Sequence, residues 1–182
     1  MKKILFIVCA IVVTASSCNN SSNCNNQPVT TDPTANKTQF LGVWYEVASI
    51  PQFFNTGCNC TKAEYIDNGA NIIVKNSCRL GGATIGVPNN ITGTATVPNP
   101  SDFSKIKVKF PVSPTAADYW ILSFDPNGKY MLVGDPQRNS LFVLSRNRTL
   151  PSNIYNNLMG IATGMCYDVS KVKKTDQIAC NN

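Results

Sequence analysis

The stretch Phe40-Leu41-Gly42-Val43-Trp44-Tyr45-Glu46-Val47-Ala48 leads into the first of a series of strand-like runs, which covers Val43–Ser49. Seven further runs follow, and turn residues such as Asp67-Asn68-Gly69 separate them. They cover Lys62–Ile66, Asn71–Asn76, Ile91–Val97, Lys105–Phe110, Tyr119–Phe124, Tyr130–Val133 and Leu141–Leu144. This spacing predicts an all-β domain of eight short antiparallel strands.

The run Lys105–Phe110 shows the clearest alternation. Its three lysines occupy every second position, and Ile106, Val108 and Phe110 lie between them. Because successive side chains of a strand point to opposite faces, the lysines are expected in water and the apolar residues inside. Ile106, Val108 and Phe110 are therefore candidates for the lining of a cavity, with ordinary wall packing as the alternative.

One helix is predicted after the strands. Ser152 is a candidate N-cap and Gly164 is placed to end the helix. Its apolar positions recur on one face: Ile154, Leu158, Ile161 and Ala162. Eight strands and one C-terminal helix favour a closed up-and-down β-barrel with the helix packed on its wall and room for one small ligand. A seven-stranded sandwich fits the pattern nearly as well, so the pattern leaves both architectures open.

The N-terminal residues 1–17 have the features of a secretory signal peptide. Met1-Lys2-Lys3 is basic, and the ten residues Ile4–Val13 are apolar but too few to span a bilayer, which needs about 20. Ala15-Ser16-Ser17-Cys18 also looks like a bacterial lipobox, although Leu is usual where Ala15 stands, so ordinary cleavage and lipid anchoring through Cys18 both stay open. Residues 18–37 are rich in Asn, Ser and Thr, which predicts a flexible tether before a folded domain at 38–182.

Composition and cysteine usage argue against several other classes of protein. The 16 Lys and Arg residues form no cluster, which speaks against nucleic-acid binding. The chain has no His, and Cys58-Asn59-Cys60 has too short a spacer for a zinc knuckle, so no metal or cofactor is predicted. The six cysteines after Cys18 form an even set, which indicates disulfides and an oxidising compartment.

Two separated motifs resemble signatures of the lipocalin family. Gly42-Val43-Trp44-Tyr45-Glu46 resembles the first signature, which opens the first strand. Gly134–Arg146 resembles the final-strand signature of bacterial outer-membrane lipocalins, and Tyr119–Leu122 and Thr175–Cys180 are similar to segments of the apolipoprotein D group. The resemblance spans about Phe40 to Cys180 and implies the eight-stranded barrel. Phe124-Asp125-Pro126 departs from the middle motif of many lipocalins, so no receptor docking is inferred.

The resemblance implies structural roles for the signature residues. Trp44 is expected to plug the closed end of the barrel close to Gly42, with the guanidinium of Arg146 across its indole ring. Ligand contacts are expected at the open end, where Tyr65 and Trp120 are the best candidates. Phe53 and Phe54 lie in the long first loop, which arches over the mouth in this family.

The resemblance also suggests disulfide pairs. Cys60 matches a position that pairs with the cysteine of the C-terminal Thr-Asp-Gln segment, here Cys180. Cys58 and Cys78 are expected on neighbouring strands and can pair. Cys24 and Cys166 then remain as the third pair.

The function implied by the resemblance is extracytoplasmic binding and transport of a small hydrophobic molecule, such as a fatty acid, lysophospholipid, sterol or pigment. One alternative is a protein-interaction or defence protein that acts through its loops. Another is a thiol-dependent lipocalin enzyme, which is disfavoured because the chain has no histidine base. Secretion is the predicted location, and six glycosylation triplets fit it, at Asn19, Asn20, Asn36, Asn59, Asn90 and Asn147.

Overall fold

The computed structural model describes Cys24 and residues 27–180 of the chain. Its main strands are β1 (Gly42–Ser49), β2 (Cys58–Asn68), β3 (Asn71–Leu80), β4 (Val87–Thr96), β5 (Lys105–Lys109), β6 (Ala117–Phe124), β7 (Tyr130–Gly134) and β8 (Leu141–Ser145). A short helix α1 (Lys37–Phe40) precedes them. Helix α2 (Ser152–Gly164), a 3-10 turn (Val169–Lys171) and the two-residue strand β9 (Lys173–Lys174) follow. Among the described residues, neither helix has the length and hydrophobicity needed to cross a membrane.

The eight main strands form a closed barrel. Each strand from β1 to β7 pairs antiparallel with the next strand along the chain, and β1 also pairs with β8. This double pairing of β1 closes the sheet on itself. The closed barrel is thus confirmed, and the sandwich is excluded.

Strands β2, β3 and β4 extend further toward one end of the barrel than the sequence pattern predicted. The β2–β3 ladder continues to the pair Cys58–Leu80, well beyond the predicted strand ends at Lys62 and Asn76. The sequence pattern stops early because inward-facing polar residues, among them Thr61 and Asn76, interrupt the alternation of apolar and polar positions. This end carries loops 50–57, 81–86, 110–116 and 135–140, and we call it the mouth.

Helix α2 packs on the outer wall of the barrel, as predicted. Its residues Leu158 and Ala162 are fully buried and belong to one cluster with Leu122 and Leu132 of the barrel wall. The helix ends at Gly164 as expected, but the predicted N-cap is wrong. Pro151 occupies the N-cap position because proline has no N–H to satisfy there, and Ser152 becomes the first helical residue.

The segment 27–37 lies along the barrel, which differs from the tether predicted for residues 18–37. The N–H of Asp32 donates to the carbonyl of Ile121 at 2.9 Å, and its Oδ2 accepts from the N–H of Phe124 at 2.8 Å. Strand β5 begins opposite Trp120, so the last residues of β6 have no strand on that side to bond to. Asp32 supplies hydrogen-bond partners for backbone groups of these residues. The predicted signal peptide 1–17 and Cys18 lie outside the described residues.

The three expected disulfides are present. Cys24 is bonded to Cys166, Cys58 to Cys78 and Cys60 to Cys180. The pairs that join Cys24 and Cys180 to the domain fix the two ends of the described chain on the barrel. Cross-links that close such long loops contribute stability by restricting the unfolded chain.

The C-terminal tail fills the gap where β1 and β2 separate. Their pairing ends at Tyr45 and Lys62. Beyond that point the side-chain amide of Gln177 donates to the carbonyl of Glu46 at 3.0 Å and to that of Thr61 at 2.7 Å. These bonds replace part of the missing ladder, so the barrel stays closed although the two strands diverge.

The closed end of the barrel depends on Trp44 and Arg146. Trp44 is fully buried, and its Nε1–H donates to the carbonyl of Phe40 at 2.7 Å. The guanidinium carbon of Arg146 lies 3.6 Å from the centre of the indole ring. The guanidinium also donates to four backbone carbonyls, those of Gln39, Leu41, Val43 and Gly128.

Gly42 permits this arrangement of the arginine. Its φ of +93° is unfavourable for other residues, and a Cβ there would lie 3.4 Å from Nη1 of Arg146. The structural roles expected for Gly42, Trp44 and Arg146 agree with these contacts.

Replacing Arg146 by Ala should lower the free energy of unfolding by about 3 kcal/mol, because four backbone carbonyls lose a charged donor and the indole loses its cation. Ligand affinity should stay near that of the wild type. Arg146→Lys is the matched control and should recover only part of the loss, since an ammonium cannot reach all four carbonyls. Urea unfolding measures the effect, and an Arg146→Ala protein as stable as the wild type would contradict this role.

Candidate ligand-binding cavity

The barrel encloses a cavity of about 700 Å³ that opens at the mouth. This volume falls within the range of sites that hold one small organic molecule. The wall is mostly apolar and comes from strands on all sides of the barrel. Its main apolar residues are Ala63, Val74, Ile91, Val108, Phe110, Phe142 and Leu144.

Two tyrosines form the floor of the cavity. Tyr65 of β2 and Tyr119 of β6 lie on opposite sides of the barrel, and their hydroxyl oxygens are 2.7 Å apart. The ring of Phe40 packs beneath Tyr65 at a centroid distance of 4.2 Å. Burial raises the pKa of both phenols, so both stay neutral. The hydrogen-bonded pair thus separates the open cavity from the packed end around Trp44.

Gly93 of β4 makes room for one wall residue. A Cβ at this glycine would lie only 2.5 Å from Cδ1 of Phe110, a distance that real side chains do not reach. The ring of Phe110 occupies that space instead and contributes to the cavity lining. The absence of a side chain at Gly93 therefore lets the ring of Phe110 lie against β4.

The mouth carries exposed aromatic residues. Phe53 and Phe54 are 85% and 48% exposed, and both border the cavity. Asn55 holds their loop, because its Oδ1 accepts from the N–H of Gln52 at 2.7 Å and its Nδ2 donates to Ser49 at 3.4 Å. A ligand that enters the barrel passes these two rings.

Glu46 is a buried carboxyl group on the cavity wall. Its Oε1 accepts from the hydroxyls of Ser49 at 3.1 Å and of Thr175, and its Oε2 accepts from Asn55 at 3.5 Å. Burial raises the pKa of Glu46, and these hydrogen bonds oppose the rise. The signature motif includes this residue, but its sequence position alone does not show that its side chain turns into the cavity.

Most of the predicted ligand-contact residues line the cavity. Tyr65, Val108, Phe110 and Phe54 all border it. The placement of Ile106 in the cavity lining is wrong, because this residue is fully buried in the core cluster below the floor.

The placement of Trp120 in the cavity is wrong. Tyr119 and Ile121 face the barrel interior, so Trp120 between them faces outward and packs in the cluster beneath α2. Lys105 Nζ lies 5.4 Å from the centre of its ring. Tyr119, which the sequence interpretation missed, takes the inward position; the alternation of β6 was the signal that could have identified it.

The described residues offer no metal site and no free thiol. No group of three or more His, Cys, Asp or Glu side chains is close enough to hold a metal ion in this part of the chain. The described cysteines all form disulfides. What the cavity offers is mostly apolar surface, with polar residues such as Asn55, Asn90 and Ser140 toward its mouth.

A closed barrel that is packed at one end and holds an apolar cavity at the other is the architecture of small-molecule-binding β-barrels. A family model described as a Lipocalin-like domain matches residues 36–177. Temperature-induced lipocalin-1 of Arabidopsis thaliana is 36% identical over 152 residues, which cover 78% of this chain and 79% of that protein. Apolipoprotein D of Cavia porcellus is 34% identical over 166 residues, which cover 86% of this chain and 84% of that protein.

Solved structures agree with these matches. Lobster apocrustacyanin A1 superimposes with a TM-score of 0.64 at 22% identity, over 84% of this chain and 92% of that chain. The chain belongs to the lipocalin family. Lipocalins bind small hydrophobic ligands.

Intrinsic tryptophan fluorescence should respond weakly to ligand, because neither of the two tryptophans lines the cavity. Trp44 lies below the floor, and Trp120 lies on the outside of the barrel. Replacing the cavity residue Phe142 by Trp should introduce a ring whose emission shifts when an apolar ligand binds. Titration of both proteins with the same ligand measures the difference. A large shift in the wild type that Trp120→Phe removes would show that Trp120 contacts the ligand after all.

Replacing Glu46 by Gln should stabilise the protein more at pH 8 than at pH 4. The folded-state pKa of Glu46 lies above its ordinary value of 4.5. The protonated side chain therefore contributes its full stability below pH 4.5, and this contribution is lost as the pH rises through the folded-state pKa. Glutamine does not titrate, so the variant avoids this loss. Urea unfolding at both pH values measures the gain, with Glu64→Gln on β2 as the control. A stabilisation by Glu46→Gln that is larger at pH 4 than at pH 8 would contradict the view that burial disfavours the charged form of Glu46.

Proposed function

We propose that this protein binds and carries a small hydrophobic molecule in the barrel cavity, outside the cytoplasm. The observation that carries the proposal is the apolar cavity of about 700 Å³ above the Tyr65–Tyr119 floor. Burial of apolar ligand surface, at roughly 25 cal/mol per Å², supplies the driving force. Fatty acids, lysophospholipids, sterols and pigments are the candidate classes, and the few polar groups of the wall determine the choice among them.

The absence of a catalytic group supports a carrier rather than an enzyme. The chain has no histidine, so an imidazole base is absent. A thiol nucleophile would have to come from Cys9 or Cys18, because the cysteines in the described part of the chain are all paired. No catalytic residue is therefore proposed.

Secretion is the location that the chain supports best. Three disulfides suit an oxidising compartment, and residues 1–17 have the features of a signal peptide. Lipid anchoring through Cys18 is the alternative and would tether the same barrel to a membrane. The intact mass of the mature protein distinguishes the two, since acylation adds the mass of the lipid.

A blocked cavity should abolish carriage. Val108→Trp puts a large ring into the cavity and should weaken binding of the apolar fluorophore N-phenyl-1-naphthylamine at least tenfold, which corresponds to about 1.4 kcal/mol. Val43→Trp makes the same change on an exposed position at the closed end and should leave binding unchanged. Fluorescence titration measures both. Equal binding by the two variants, or none by the wild type, would contradict the proposed function.

A further inference from the structure

Exposed apolar side chains border the mouth of the barrel. In the described part of the chain, the large apolar residues that are exposed lie there, with the exception of Val43 at the closed end and Ile178 in the C-terminal tail. The most exposed of them is Ile85, at 88%. The members of this group, which we call the apolar rim, are Phe53, Phe54, Leu80, Ile85, Val87 and Val112.

The apolar rim comes from separate loops that meet around one opening. Its two phenylalanines belong to loop 50–57 and Val112 belongs to loop 110–116, and all three residues border the cavity. The other members lie at the tip of the β3–β4 hairpin. The N–H of Gly81 in that tip donates to the carbonyl of Gly57 at 3.3 Å, which joins the hairpin to loop 50–57. The rim is therefore continuous with the apolar interior of the barrel.

The loops that carry the apolar rim have no charged side chain. Residues 50–61, 80–101 and 110–117 contain no Asp, Glu, Lys or Arg. The fourth loop of the mouth contains Asp135 and Arg138, and both of these side chains are bonded to neighbouring groups of the chain. Exposed apolar side chains that are grouped in this way mark a surface that contacts a partner.

Basic side chains lie on the outer wall of the barrel close behind the apolar rim. Lys62, Arg79 and Arg148 line a crevice of about 200 Å³, and none of the described residues that line it is acidic. Arg79 directly precedes Leu80 of the rim, and Lys62 pairs with Ser77, three residues before Leu80. At about 3.3 Å per residue, both positions lie within about 10 Å of the rim along the strand.

We propose that the apolar rim docks the mouth of the barrel on a lipid bilayer that contains anionic lipids. The rim side chains enter the boundary of the acyl region, and the basic crevice meets the headgroups. The headgroup layer on each side of a bilayer is roughly 5–8 Å thick, so Lys62 and Arg79 lie at the right depth to reach it. Docking goes beyond the carrier function and does not depend on it.

The order of apolar and charged groups favours a bilayer over a protein surface. The rim side chains project from loop tips around an opening, so a rigid partner would have to fit each tip separately and would cap the cavity. Acyl chains adapt to such a surface, and anionic headgroups complement the basic crevice behind it. In this orientation a ligand passes between the cavity and the acyl chains without crossing water, a consequence that rests on the proposed carrier function.

Vesicle flotation tests the docking. The mature protein is used in a preparation whose intact mass shows no acylation, so that a lipid on Cys18 does not contribute. Phosphatidylcholine vesicles with about 30% phosphatidylserine should carry the wild type upward in the gradient. Ile85→Asp puts a charge on the apolar rim and should weaken vesicle binding at least about tenfold. Val43→Asp adds the same charge at the closed end and should bind like the wild type.

Two results would overturn the docking. One is a wild type that does not float with the vesicles, or equal losses in Ile85→Asp and Val43→Asp. The other is a wild type that ignores vesicles but forms a dimer that Ile85→Asp dissociates, because the rim would then bind a second copy of the chain.

A second pair of variants tests the basic crevice. Lys62→Gln should weaken binding to the same vesicles about fivefold, because a basic side chain near an anionic membrane contributes about that factor. Lys129→Gln removes the same charge from an exposed position at the closed end and should have no effect. Pure phosphatidylcholine vesicles should bind the wild type and Lys62→Gln equally. Equal effects of the two substitutions would overturn the assignment of the crevice to headgroups.

The failure of this inference can be told apart from the failure of the carrier function. Ile85 is not among the residues that border the cavity, so Ile85→Asp should bind N-phenyl-1-naphthylamine normally in the absence of vesicles. A wild type that binds the fluorophore but no vesicles overturns the docking alone. A wild type that binds vesicles but no fluorophore overturns the carrier function alone.

Discussion

The contact between Arg146 and Trp44 fixes the closed end on which the rest of the barrel depends. An eight-stranded barrel has an interior that side chains can just fill, so an open cavity requires a firm boundary within it. The indole plugs one end, and the guanidinium holds the plug by bonding to four carbonyls from two stretches of chain, residues 39–43 and Gly128. Apolar packing continues upward from this plug as far as the tyrosine floor.

The cavity exists because the upper half of the barrel is lined but not filled. Strands β2 to β4 continue well above the floor, and the C-terminal tail closes the wall where β1 and β2 diverge. The same seam turns Glu46 and Thr61 toward the cavity. The stability of the closed barrel and the polarity of its interior are thus linked through Gln177, which bonds to the backbone of both residues.

The two signature motifs decided in favour of the barrel and its closed end, where the strand alternation alone had left a sandwich open, and the apolar periodicity predicted the helix. Of the disulfides, the resemblance assigned only Cys60–Cys180, and the pairing of the other four cysteines stayed open until the structure showed it. Side-chain direction was harder to predict where two large aromatic residues are adjacent. Tyr119 and Trp120 differ by one position, so the alternation of β6 places only one of the two rings in the cavity, and the pairing with β5 and β7 shows that this ring is Tyr119. Thr61 and Asn76 were not predicted to border the cavity because they lack an apolar pattern. Asp32 was assigned to a tether because its partners on β6 are backbone groups, which sequence composition does not show.

The central claim is that the space above the tyrosine floor holds a small apolar molecule. Native mass spectrometry of the protein purified from its own source, followed by organic extraction, tests this claim most directly. The account predicts one noncovalently bound small apolar molecule per chain that organic solvent removes. A protein that carries only its own covalent mass, and that takes up no apolar compound when one is supplied, would contradict it.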